Sequence, residues 1–169
     1  YLAVNAALQN QDHVTNNFYM SRQVVHGGAA AWEVYPFDLD LTFGCGWDLQ
    51  DGTLCTTFSW TDWWMNGVVL EPVGEYCWCN RAIHLVLNQP DHFERYRQRI
   101  CSFTASDWWT DQAPRMVEAL RETLAPVVAE DAMDRNEGLE SWEAALDEIR
   151  DFMPRRAAFL RHALACPEP

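Results

Sequence analysis

The stretch NQDHVTNNFYMSRQVVHGGAAAWEVYPFDLDLTFG, residues 10–44, decides the fold. Its middle reads as two strands. Residues 18–25 (FYMSRQVV) alternate with strand period, His26-Gly27-Gly28 is a turn signal, and residues 29–37 (AAAWEVYPF) make the return strand. Pro36 has no N–H to give to a ladder, so the second strand ends there or lies at an edge. The hairpin separates two polar groups in the sequence and brings them together in space. Before it lies Asp12 to Asn17; after it lies Asp38-Leu39-Asp40.

Outward from the hairpin the pattern is helical. Residues 1–10 (YLAVNAALQN) are Ala-rich and apolar, a buried helix ending at Asn10 and Gln11. Residues 45–80 are rich in Gly, Trp, Thr and Cys without a period and read as a long ordered loop. From Arg81 helices return. One covers roughly 81–88. A second, capped by Pro90, covers roughly 91–103, with Phe93, Tyr96 and Ile100 on one face. A third, roughly 113–129, carries Met116, Leu120, Leu124 and Val127 as a core stripe. A fourth, roughly 139–153, carries Trp142, Leu146, Ile149 and Met153, and a fifth covers roughly 155–165. Asp107-Trp108-Trp109 reads as a helix start, and the acidic run from Glu140 to Asp151 as a solvated face. The expected class is α+β, mostly helical: one hairpin and a helical bundle within a single domain, residues 1–169. The chain begins at Tyr1 inside a helical pattern without Met, which reads as part of a longer protein.

Composition narrows the function. With 169 residues and 49% hydrophobic content the chain can bury a core. Its formal net charge of −13 repels nucleic-acid phosphates and anionic lipid, and no transmembrane run is present. All 12 basic residues are Arg, and there is no Lys. The six cysteines, Cys45, Cys55, Cys77, Cys79, Cys101 and Cys166, fit disulfides in an exported protein, with the pairing open, or a few buried free thiols. Zinc is disfavoured, since no C-x-x-C pair exists and Cys77-Trp78-Cys79 alone is too tight for a structural site.

Asp12, Asn17, Asp38 and Asp40 form the constellation that carries chemistry. Carboxylates and an amide oxygen converging at the hairpin's open end make a hard oxygen site suited to Mg²⁺ or Mn²⁺. Phosphoryl transfer asks for that set: a carboxylate to orient the acceptor hydroxyl and take its proton, and an Asp and an Asn to hold metal against the phosphates. Asp12 to Asn17 has the D-x-x-x-x-N spacing of the protein-kinase catalytic loop, and the hairpin then leads to a second acidic site, in the order kinases use. The spacing alone is weak, because Asp and Asn also cap and turn chains. The carboxylates of Asp38 and Asp40, two positions apart among apolar neighbours, favour a metal more strongly.

The same residues resemble the core signature of the spore-coat protein H (CotH) kinase family. That signature has an N-x-D loop, then N-x-Y-x-Y and a hairpin, then P-W-D-x-D-x-x-x-G. Here stand Asn10-Gln11-Asp12, Asn17-Phe18-Tyr19, Pro36-Phe37-Asp38-Leu39-Asp40 and Gly44, with Phe37 in place of the family's Trp. Pro90, Phe93, Tyr96 and Arg99, and then Arg155, Arg156 and Leu160, resemble its later helices. The resemblance implies an atypical protein-kinase-like C-lobe with a metal-bearing hairpin, moving phosphate from ATP to protein Ser or Thr. Asp12 would be the catalytic base, and Asn17 with Asp38 or Asp40 the metal ligands, Asp38 being favoured. It implies a coat or surface protein as substrate and an extracellular or cell-surface location, the periplasm included. The lobe with the phosphate-pairing Lys is expected outside this chain, leaving the piece alone inactive; Arg22 and Arg81 more often make surface ion pairs. Two other classes remain: a pseudokinase or structural coat module acting through the Trp-rich loop, and a carbohydrate-binding module using Trp60, Trp63 and Trp64. His13, beside Asp12, could orient substrate, though a loop histidine is more often merely exposed; His26 reads as turn composition, and His84 and His92 lie on expected helices with no Cys or Asp at ligand spacing.

Overall fold

A computed structural model describes residues 1–10, 18–24, 30–37, 42–43, 85–135 and 139–168. Its elements run α1 (Leu2–Leu8), β1 (Phe18–Val24), β2 (Ala30–Pro36), α2 (Pro90–Thr104), a π-helical turn (Trp108–Gln112), α3 (Ala113–Arg135) and α4 (Leu139–Ala163). The chain is α+β and mostly helical, with one two-stranded sheet among the described residues. The expected loop at 45–80 lies outside them. Of the expected helix near 81–88, residues 85–87 are described and helical.

The hairpin is antiparallel, its register running from Phe18 opposite Pro36 to Val24 opposite Ala30. Pro36 ends the second strand, where its missing N–H costs the ladder least. The strand period puts Arg22 across from Trp32, and the guanidinium lies over the indole, 6.0 Å from the ring centroid.

The core is built between α1, α2 and α4. Ala3, Ala6 and Ala7 give α1 a flank of small side chains, which lets neighbouring helices pack close to its backbone. Leu87, Tyr96, Ile100, Trp109, Phe152, Met153, Leu160 and Leu164 fill the rest. Trp109 is buried, and its indole N–H donates to the Met153 carbonyl at 3.0 Å, so its polar atom is satisfied inside the core. α2 begins with Pro90 in its first turn, after an extended Gln89. At its far end the Thr104 hydroxyl turns back to the Ile100 carbonyl at 2.9 Å. The π turn leads into α3, its register shown by the Ala113 N–H bonding the Trp108 carbonyl.

Two expectations are corrected. The fourth and fifth helices are one helix, α4, which runs through Pro154. Proline removes one helical hydrogen bond there, yet Phe152 and Met153 before it and Leu160 after it are buried in the same core, which keeps the axis continuous. The stripe of α3 is not core: Met116, Leu120, Leu124 and Val127 are exposed. The acidic run on α4 lies at the surface as expected, and Glu143 and Asp147 in it also pair with Arg121 of α3.

Cys101 and Cys166 form a disulfide with Cα atoms 5.5 Å apart, tying α2 to the segment after α4. Arg97 adds to that tie by donating to the Leu164 and Ala165 carbonyls, and Arg161 by donating to those of Cys101 and Pro167. Among the described residues no helix is long and apolar enough to cross a membrane.

Candidate functional site

Asp12, Asn17, Asp38 and Asp40 all lie outside the described residues, as does His13. What is described is the frame on either side of them, made by the end of α1, the open end of the hairpin and the segment at Thr42-Phe43.

The end of α1 is closed with unusual care. Gln9 follows the last helical residue in the left-handed region, at φ 57° and ψ 47°. Its N–H reaches back to Ala6 at 3.3 Å, and the Asn10 N–H reaches the Asn5 carbonyl at 2.9 Å. This pair of bonds is the Schellman arrangement, normally built on glycine. A side chain in that conformation costs about 1–2 kcal/mol. Here the side chain is kept and buried, and among the described residues Gln9 Oε1 has no hydrogen-bond partner. Asn10 is also buried, its amide donating to Asn5 Oδ1 at 2.9 Å. Gln9 and Asn10 are therefore held in one conformation at the end of α1, at an energetic cost met by the surrounding core.

Two further groups grip the same helix end. The Phe43 N–H donates to the Leu8 carbonyl at 2.8 Å, so the segment just past Asp38 and Asp40 is tied to the segment just before Asp12. Phe43 has a positive φ of 54°, and its ring packs edge-on against Phe152 of α4. Arg156, fully buried on α4, donates from Nη2 to the Ala6 carbonyl at 2.8 Å and lies over the Phe159 ring. A cation at a helix C-terminus is favoured by the backbone dipoles that converge there.

The hairpin supplies the other side. Phe18, which follows Asn17 in the chain, pairs with Pro36, and the Tyr19 ring stacks on Phe37 with centroids 4.8 Å apart. Phe37 immediately precedes Asp38. The Phe18 ring also touches Tyr1 edge-on at 5.8 Å, which seats the hairpin against α1; partial burial raises the Tyr1 hydroxyl above its usual pKa. Elsewhere, among the described residues, no group of three His, Cys, Asp or Glu side chains could hold a metal ion.

A family model described as CotH kinase protein matches residues 1–160. The chain belongs to the CotH kinase family. The match runs from α1 to Leu160 in α4, so it takes in every element of this frame. No curated protein and no solved structure matches the chain.

For this CotH kinase domain, the residue that sequence reasoning undervalued is Arg156. It stands three positions after Met153 and four before Leu160, on the apolar stripe of α4. A charged residue on a core stripe is itself a signal, since Arg is almost never fully buried unless paired. Gln9 carried no such signal, because its conformation shows only in the folded backbone.

Proposed function

We propose that this chain supplies the metal-binding and proton-accepting half of a protein Ser/Thr kinase that uses ATP. The single observation that carries the reading is the family match across residues 1–160, which includes Asp12, Asn17, Asp38 and Asp40. The frame supports it: the Leu8–Phe43 bond and the Phe18–Pro36 pair hold together the stretches that lead into and out of the four residues.

In this reading Asp12 orients the acceptor hydroxyl and accepts its proton. The hydroxyl oxygen forms a bond to the γ-phosphorus, the bond from that phosphorus to the β–γ bridging oxygen breaks, and ADP leaves. Asn17 and Asp38, with Asp40 as the alternative ligand, hold Mg²⁺ or Mn²⁺. The donor set is all oxygen, the set such hard ions take. The metal, when bound, neutralises phosphate charge as the leaving group departs. The substrate is a protein, of coat or surface type. The Cys101–Cys166 disulfide supports an oxidising compartment, at the cell surface or outside the cell.

The alternative is an inactive pseudokinase or structural coat module, and the two readings part on whether the protein outside this chain supplies the lysine that kinases set against the nucleotide phosphates, since this chain has no Lys. One assay separates the two. The intact protein is given labelled ATP with Mn²⁺ or Mg²⁺, beside Asp12→Ala and Asp38→Ala. Transfer by wild type with a loss of at least about 100-fold in each variant is expected. Transfer unaffected by either change would remove the assigned roles, and no transfer by wild type would leave the pseudokinase reading.

A further inference from the structure

Arg156 is the buried charged group to which the proposed transfer gives no role. It is fully buried on α4, where a guanidinium is costly to place. Stability alone does not account for it, because even a well-partnered buried charge is often no better than an apolar side chain of the same volume. Nor does its acceptor require it. The Ala6 carbonyl lies 2.8 Å from Nη2, and it also takes the Gln9 N–H at 3.3 Å, a bond made within the turn that ends α1.

The place of Arg156 in the fold does account for it. Both stretches that flank the candidate residues come to rest on one side of α4. Arg156 holds the last turn of α1 at Ala6, six positions before Asp12. Phe43, three positions after Asp40, packs its ring on Phe152, with centroids 5.9 Å apart. Phe152 and Arg156 are four positions apart and so are neighbours on the helix surface. The Phe43 N–H on the Leu8 carbonyl, at 2.8 Å, joins the two stretches to each other. In this corner Gln9 and Phe43 hold positive φ angles of 57° and 54° while carrying side chains. Such conformations persist only where the surroundings impose them, and they gather at functional sites. Arg156 brings a planar fork whose donors have fixed directions, which a flexible ammonium lacks.

We propose that Arg156 is a positioning residue of the transfer reaction. Through the Ala6 carbonyl it fixes the end of α1, and with it the place at which Asp12 meets the acceptor hydroxyl. The inference rests on the reading of Asp12 as the proton acceptor. Such control matters because misplacing a catalytic group by about 1 Å can cost about 100-fold in rate.

Arg156→Lys in the intact protein tests it, since Lys keeps the charge and loses the fork. Melting temperature, amide hydrogen exchange at Gln9 and Asn10, and phosphate transfer are measured beside wild type and Asp12→Ala. The variant should stay folded, and both amides should exchange faster. Its kcat should fall at least about tenfold while KM for ATP stays within about twofold. Arg156→Met should show the same split, and where it does not fold Arg156→Lys decides. A wild-type kcat in Arg156→Lys overturns the proposal. So does a loss of kcat that only follows the unfolded fraction, or a failure of Arg156→Lys to fold, since the role is then structural. Transfer that is absent from wild type, or unmoved by Asp12→Ala, removes the reading of the site itself and this inference with it.

Discussion

Helices α2 and α3 are written in similar code and used in opposite ways. Each repeats large apolar residues at helical spacing. In α2 the repeat, with Tyr96 and Ile100 at its centre, is buried against α1 and α4. In α3 the repeat is exposed, and the charged side makes the contact with α4. The difference lies in what stands between the stripes. α2 has Arg97, which is spent on Glu94 and on the carbonyls that follow α4, plus a disulfide that holds the helix to that segment. α3 has Glu118 and Arg121 one turn apart, with Glu143, Asp147 and Arg150 opposite on α4, so its rotation is set by charge partners. Periodicity states that a helix has an apolar face; the partners of its other face decide where that face points.

Removing the staple should give the largest effect. Cys101 and Cys166 are 65 residues apart, and the loop-closure model gives about 4 kcal/mol for a bridge over that separation. Cys101→Ser with Cys166→Ser, followed by denaturant unfolding, should show a loss of that order. A loss under about 1 kcal/mol would mean that the two arginines hold the C-terminal segment unaided.

Truncating each stripe measures the comparison directly. Ile100→Ala on α2 deletes a fully buried side chain and should cost about 2–5 kcal/mol in unfolding free energy. Leu120→Ala on α3 should stay within about 0.5 kcal/mol, as exposed positions do. Equal losses at the two sites would mean that the α3 stripe is core after all.

These differences bound what was legible beforehand. The hairpin was, almost to the residue, because two-residue alternation, a Gly-Gly turn and Pro36 all act locally. The start of α2 was legible for the same reason, since Pro90 acts on its own backbone. The passage of α4 through Pro154 was not, because the core on both sides overrides a local break. The outward face of α3 was not, because its cause sits on another helix. Nor was the Cys101–Cys166 pair, which distant folding selects from fifteen pairings. For the candidate site, the stretch from Asp12 to Asp40 was legible as a family resemblance, and the family match bears out the family. The clamp that frames it was only half legible: Arg156 left a trace as a charge on an apolar stripe, whereas the left-handed turn at Gln9 left none.

The smallest effect separates the charge clamps of the two helices. Glu94 on α2 accepts hydrogen bonds from Arg97, the stronger influence, and from Gln98, which lower its pKa from 4.5 to about 2. Asp147, opposite α3, is lowered chiefly by its hydrogen bond from Arg121. Both carboxylates titrate below their unfolded values. Their contribution is therefore whole above the ordinary carboxylate range and fades as pH falls through the folded pKa, between about 4.5 and about 2 for Glu94. Melting temperature followed down that window should fall less steeply in Glu94→Gln than in wild type, and Asp147→Asn should flatten the curve too. Salt discriminates further. Both groups are solvent-exposed, so added salt should erode their share of the pH dependence while leaving the disulfide's contribution intact. If Glu94→Gln leaves the acid limb unchanged, Arg97 is held by the carbonyls of Leu164 and Ala165 rather than by Glu94, and the α2 clamp does not depend on that carboxylate's charge.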